Sequence, residues 1–251
     1  MWSIINQLRG AIQPPCMLCG AHPHHHDNLC GPCLIDIPWT KNACNRCAEY
    51  IESNGLDSAQ VCVSCIQEPP LYSKTVCAFD YLVPIKGLIN QFKHQRNFAA
   101  GRLLTSCLSQ TVFEIMSQHQ TITPDLLIPV PLHRRRLRQR GFNQAQFIAT
   151  GLSQSLKLRI NTRLCQRSAY QAPQQGQSRR QRLNQMTGIF QVSQAGVDQK
   201  INNIAIVDDV MTTGATAQAL SNSLINAWDG PLNIQLWCVA RAQPPDVQLE
   251  W

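Results

Sequence analysis

The sequence is poor in charge: only 15% of its 251 residues are Asp, Glu, Lys or Arg, and only 6% are aromatic. With 44% apolar residues, the chain is not one held open by self-repulsion and has enough apolar material for a core. No apolar run reaches the length of a membrane span. The N-terminal stretch lacks the basic start, continuous apolar segment and small-residue cleavage site of a secretory signal, so the expectation is a cytoplasmic protein. Trp2, Ile5, Leu8 and Ile12 recur instead at helical spacing, which predicts a short amphipathic helix over 1–12.

Negative charge is the sharpest absence. Between Asp125 and Asp198 there is no Asp or Glu, and that interval holds 12 of the 22 Lys and Arg residues. One-signed charge over 72 residues favours a polyanion partner over a merely solvated face. A polyphosphate ligand, a nucleic acid, or both would fit. Aromatics for base stacking are sparse near this interval (Phe142, Phe147 and Tyr170), so nucleic-acid binding would be mostly electrostatic and salt-sensitive. There is no GxxxxGK[ST] loop, which disfavours an ATPase.

Cysteine is abundant where other core-forming residues are few. Eight of the 12 cysteines fall in the first 65 residues, as four C-x-x-C pairs: Cys16 with Cys19, Cys30 with Cys33, Cys44 with Cys47, and Cys62 with Cys65. A C-x-x-C turn aims two thiolates at one metal, and two turns complete a tetrahedral site, so four pairs imply two zinc ions. Disulfides would need an oxidising compartment. Four sulfurs per ion leave no open coordination position, so these zincs are structural. Sequential pairing is the simpler arrangement; interleaved pairing is equally compatible with the spacing. His22, His24, His25 and His26 lie between two pairs, as a solvated loop or as alternative ligands. Cys77, Cys107, Cys165 and Cys238 are isolated and read as ordinary thiols.

Past Pro69-Pro70 the texture changes. Val76 to Val83, Leu126 to Ile128, Ile204 to Val207 and Ile234 to Val239 read as buried strands, and Phe142 to Leu156 and Thr216 to Trp228 as amphipathic helices. The alternation predicts an α/β fold, a parallel sheet flanked by helices. Its ligands would sit at the carboxyl ends of the strands. The organisation expected is a helix at 1–12, a double zinc ribbon at 13–68, the α/β domain at 71–241 and a loosely held tail at 242–251.

The most informative stretch is IAIVDDVMTTGATAQAL, from Ile204 to Leu220. It is a buried strand, two carboxylates, a Thr/Gly-rich turn and a helix. Consecutive N–H groups in such a turn form an anion nest, reinforced by the helix dipole and by the hydroxyls of Thr212, Thr213 and Thr216. Gly214 lets the backbone approach a phosphate closely, and Ala215 completes the turn between it and Thr216. Asp208 and Asp209, expected at the strand end, would accept hydrogen bonds from ribose hydroxyls or position Mg²⁺. Diol acceptors followed by a phosphate nest match a ribose 5-phosphate.

This stretch strongly resembles the phosphoribosyl pyrophosphate (PRPP) signature of type I phosphoribosyltransferases. A second block, DLLIPVPLHRRRLRQRGFNQAQ, from Asp125 to Gln146, resembles the most characteristic segment of the ComF family. The resemblance implies a pyrophosphate loop at Val130, Pro131, Leu132, His133 and Arg134, followed by further arginines through Arg140. Guanidinium groups suit that role because they pair with phosphate bidentately. A third block, from Arg167 to Phe190, looks like the family's flexible loop. Gln174, Ser178, Arg182 and Phe190 keep its spacing, while Gln177, Gln185 and Ile189 depart from its usual Leu, Asn and Ala. Arg179, Arg180 and Arg182 would close over the ligand. Lys93 also sits where such proteins carry a lysine.

Membership of the ComF family implies structural zinc, PRPP with Mg²⁺, and a cytosolic role with single-stranded DNA in natural transformation or the use of DNA as a nutrient. Competence or DNA-processing proteins would be partners. Two other readings stay open at this level: an active phosphoribosyltransferase on an unidentified acceptor, and a non-catalytic PRPP sensor docking through its zinc head. No residue identifies an acceptor or a catalytic group.

Overall fold

A computed structural model describes residues 15–21, 29–52, 61–118, 120–168 and 188–244. The helix expected at 1–12, the histidines His22 to His26 and the loop residues Gln174, Arg179, Arg180 and Arg182 lie outside them.

Four strands form one parallel sheet: β1 (Lys74–Asp80), β2 (Leu126–Pro129), β5 (Asn203–Met211) and β6 (Asn233–Arg241), in the order β1-β6-β5-β2. Their near-continuous burial is that of a sheet covered on both faces. On one face lie α3 (Ile85–Gln95), α4 (Phe98–Ser117) and α6 (Gln144–Leu156), whose Leu88, Phe92, Leu104, Leu108, Ile148 and Leu152 are buried against Ala205, Val207 and Trp237. Each such side chain contributes about 1.5–3 kcal/mol by leaving water. The other face is covered by α7 (Ala215–Ile225) and the small antiparallel pair β3 (Cys165–Arg167) and β4 (Phe190–Val192).

The helix ends follow local chemistry. The Asn97 side chain accepts from the Ala100 N–H at the start of α4, and Asn143 from Ala145 at the start of α6. The Arg-rich stretch is itself a short helix, α5 (Arg134–Arg140), with His133 as its N-cap and Gly141 in the left-handed region (φ 83°) ending it. The resemblance implies a loop through Val130 to Arg134 with further arginines after it; the helix instead begins at Arg134. Three helix-favouring arginines in a row and a side-chain cap decide this.

The strand boundaries differ in the same spirit. β1 starts at Lys74 and stops at Asp80, ahead of Pro84, which cannot donate to a ladder. β5 continues past Val207 through both carboxylates to Met211, because β6 continues beside it: Asp208 pairs with Cys238 and Met211 with Arg241.

The Cys-rich segment closes the free edge of β1. The Thr40 N–H donates to the Ala78 carbonyl and the Asp80 N–H to that of Pro38, while Trp39 lies 4.7 Å from Phe79, ring to ring. An open strand edge is a liability, and this covers it. Two one-turn helices, α1 (Gly31–Asp36) and α2 (Val63–Gln67), each start directly after a cysteine, Cys30 and Cys62. The first residues beyond β6 are held too: Ala242 donates to Met211, and Gln243 bonds Tyr50, Ala48 and Asp80. That part of the expected loose tail is therefore tied down. No helix among the described residues is long and apolar enough to cross a membrane.

Candidate functional site

The cysteines gather into two groups, Cys16, Cys19, Cys30, Cys33 and Cys44, Cys47, Cys62, Cys65, with the sulfurs of each group within 4.8 Å of one another. Pairing is therefore sequential. Within the groups, Cys19 and Cys30 sulfurs are 3.6 Å apart, as are those of Cys47 and Cys62. The Cys62 N–H donates to the Cys44 sulfur at 3.3 Å. The Cys47 thiol, with backbone N–H groups, holds the Cys44 thiol down at about 4. Burial works against the Cys16 thiolate, yet the N–H groups of Cys19, Cys30 and Leu18 bring it to about 6. One thiol in each group is thus biased toward thiolate, while neighbouring sulfurs push Cys33 and Cys47 the other way; four sulfurs gathered around one point fit a structural zinc ion in each group. The two groups pack on opposite faces of the sheet, the first against Phe79 and the second beside Tyr72 and Cys77. The isolated Cys77, Cys107, Cys165 and Cys238 are buried among core residues.

The acid pair lies near the carboxyl end of β5, at the sheet's centre. Successive strand residues leave opposite faces. Asp209 therefore turns to the face carrying α3, where Lys93 reaches it at 3.0 Å, both side chains less than a fifth exposed. Lys93 thus holds one carboxylate in place. Asp208 turns to the hairpin face. Its carboxylate accepts the Asp209 N–H at 2.8 Å. Burial, then the charge of Asp209, pushes its carboxyl up to about 7, against the pull of Lys93 and Arg167.

Arg167, at the end of β3, was missed as a site residue by sequence reasoning. Desolvation and the nearby Arg136 lower its pKa, while Asp208 supports its charge. It lies over the Phe190 ring at 5.5 Å, and its Nε is buried without a partner. Arg167 pairs with Phe190 in the ladder. Nothing local in the sequence marks Arg167 as different from its neighbours; only the hairpin puts it there.

After Met211 the chain turns through Thr212, Thr213 and Gly214 into α7, with Gly214 as its N-cap at φ 76°. A Cβ at Gly214 would lie 2.7 Å from the Tyr72 hydroxyl and 2.9 Å from the Met211 methyl. Gly214→Ala is expected to cost roughly 1–2 kcal/mol for the left-handed backbone alone, more with the clash. Thermal unfolding measures it, and a variant as stable as wild type would show that the turn relaxes.

Behind the turn stands Arg241, the last residue of β6 and 4% exposed. Its guanidinium donates to the carbonyls of Met211 (3.5 Å), Thr212 and Ala242 (2.6 Å), and to that of Cys47 at 3.0 Å, and pairs with Glu49 at 3.5 Å. In a trans peptide the N–H points opposite to the preceding C=O. Pinning the Thr212 carbonyl rearward therefore aims the Thr213 N–H forward. One side chain joins the second cysteine group to the turn.

The implied pyrophosphate loop begins next door. Pro129 pairs with Val207, and the Val130 N–H donates to the Val207 carbonyl at 2.9 Å, so Val130 to His133 leave the sheet alongside Asp208. Val130 is buried, Pro131, Leu132 and His133 are half-buried, and Arg134 is exposed. The Asn143 amide donates to the Val130 carbonyl (3.0 Å), Arg140 is tied to Gln144 (3.0 Å), and Arg96 donates to the Arg140 carbonyl (3.2 Å). The structure thus brings Asp208, Asp209, the turn at Thr212 to Thr216, Val130 to Arg134 and Lys93 to one end of the sheet.

Comparison with known proteins bears on this arrangement. No family model matches the chain. It is 31% identical to Competence protein F of Haemophilus influenzae, over 90% of this chain and 96% of that protein. It is 29% identical to DNA utilization protein YhgH of Escherichia coli O6:H1, and 28% to that of Salmonella typhimurium, over 86% of this chain and 91% of each. With that identity along nearly the full length of both chains, and with two four-cysteine groups beside a parallel α/β sheet, this chain belongs to the ComF family.

Proposed function

We propose that this protein binds PRPP with Mg²⁺ at the end of β5 and acts on single-stranded DNA in its uptake or use. The observation that carries the reading is the acid pair: two adjacent carboxylates at the centre of the sheet, followed at once by a turn whose carbonyls are pinned away from solvent. Asp208 and Asp209 would take the ribose hydroxyls or the ion, and the N–H groups of Thr212 to Thr216 the 5-phosphate. Arg134, Arg136 and Arg167 stand where pyrophosphate charge would need neutralising. The relatives' names, competence and DNA utilization, support the DNA half of the proposal, as does the acid-free basic interval.

Calorimetric titration with PRPP and Mg²⁺ tests the ligand. Asp208→Asn is expected to abolish the heat of binding, and silence from wild type with excess PRPP would end this reading. The pH dependence has a definite sign. A carboxyl raised to about 7 in the fold adds stability at pH below its unfolded value, 3.8, and that stability is lost as pH rises through about 7. Mg²⁺ needs the ionised form, so PRPP affinity is expected to strengthen over the upper part of the same window. An affinity flat through about pH 7 would mean that Asp208 does not meet the ion.

A further inference from the structure

One cavity lies away from the acid pair, between α4, α5 and α6. Its volume is about 750 Å³, within the range of small-ligand pockets, roughly 300–1,000 Å³. Three phenylalanines, Phe98, Phe142 and Phe147, form its apolar end. Phe92 is fully buried and backs Phe142 and Phe147, each 5.1 Å away between ring centroids. Phe98 is the outer ring, stacked on Phe147 at 5.7 Å with 27° between planes, and it is 39% exposed. Gly101 makes the arrangement possible: a Cβ there would lie 2.5 Å from the Phe92 ring. In sequence these rings are split between two distant segments, which is why the basic interval reads as poor in aromatics.

The rest of the lining is hydroxyl, amide and glycine, with one charge, Arg102, and no carboxylate. The rim is the arginine helix α5, which places Leu137 in the wall. A hydrophobic peptide would find an apolar floor but a hydroxyl-rich wall holding Arg102 and bordered by the basic helix α5. Bases joined by phosphates match both parts, a flat π-face for the rings and anions for the arginines.

From this complementarity we infer that the groove is where the bases of single-stranded DNA stack, with Phe98 as the platform and Arg102 and α5 holding the flanking phosphates. The inference rests on the DNA half of the proposed function and gives it a place. It also separates the strand from the PRPP end of the sheet. The two are linked through α3, where Phe92 supports the rings and the adjacent Lys93 holds Asp209, and through Asn143, which lines the groove and donates to the Val130 carbonyl.

The test compares a fluorescent oligothymidylate with an abasic strand of the same length, which keeps the phosphates and lacks the bases. Wild type is expected to bind the thymidylate roughly ten-fold more tightly, the worth of about one stacked base. Phe98→Leu, which keeps apolar volume without a ring, and Thr150→Glu, on the exposed wall of the groove, are each expected to remove most of that preference. PRPP binding by both variants should stay as in wild type. A wild type that binds neither strand at low salt overturns the DNA reading and the groove with it. Binding of both strands equally, or a preference that survives both variants, overturns the groove alone. So does concentration-dependent dimerisation abolished by Thr150→Glu, which would identify a second copy of this chain as the occupant.

Discussion

Arg241→Ala is expected to lower the stability of the protein by about 3–5 kcal/mol and to abolish PRPP binding together with it. The guanidinium is 4% exposed and has four carbonyl acceptors and Glu49. Removing it leaves buried oxygens without donors, and each such orphan costs about 1–3 kcal/mol. Lysine restores the charge but not the fork, so Arg241→Lys should recover part of the stability and little of the binding. Guanidinium denaturation gives the first quantity and PRPP titration the second. A variant of wild-type stability and affinity would show that the turn keeps its shape unaided.

Metal removal is the second large effect, and the two cysteine groups should not respond alike. Native protein is expected to carry two zinc ions per chain, read by elemental mass spectrometry, and Cys19→Ser or Cys47→Ser one. Zinc held by such groups is worth roughly 10 kcal/mol or more of folding free energy in small peptides. Cys19 is exposed and its group packs against Phe79 at the sheet edge. Cys47 is buried, and its carbonyl is one of the acceptors of Arg241. Losing the second ion should therefore disturb the turn at Thr212 to Thr216 and the PRPP affinity, while losing the first should leave affinity close to wild type. Equal losses in the two variants would refute the link through Arg241.

How much of this was legible beforehand divides by range along the chain. The C-x-x-C turns, the alternation of strands with helices, and the order of strand, diacid, Thr-Gly turn and helix are local patterns. Each is set by neighbours within a few residues, so each survives as a spacing. The strand boundary misjudged at β5 has a tertiary cause. β5 runs through Asp208 and Asp209 because β6 is there to pair with them, whereas the helix over the arginines has a local cause, the His133 cap. Of the site residues, Lys93 was noticed without a role, and Arg167 and Arg241 were not noticed as site residues at all. All three act through partners far away in sequence. The flexible-loop residues Gln174, Arg179, Arg180 and Arg182 lie outside the described residues, and their part in binding rests on the PRPP proposal.

The sequence by itself determined two metal groups, a parallel α/β sheet and the neighbourhood of Asp208 to Thr216, because thiolate spacing, burial period and turn chemistry are written within single segments. Only the tertiary structure decided which cysteines stand together, that Arg241 ties Cys47 to the turn across 194 residues, and that Phe98, Phe142 and Phe147 meet in one groove backed by Phe92. Those contacts join distant segments, and what brings them together is the burial of both faces of the sheet, which no short stretch of chain can express.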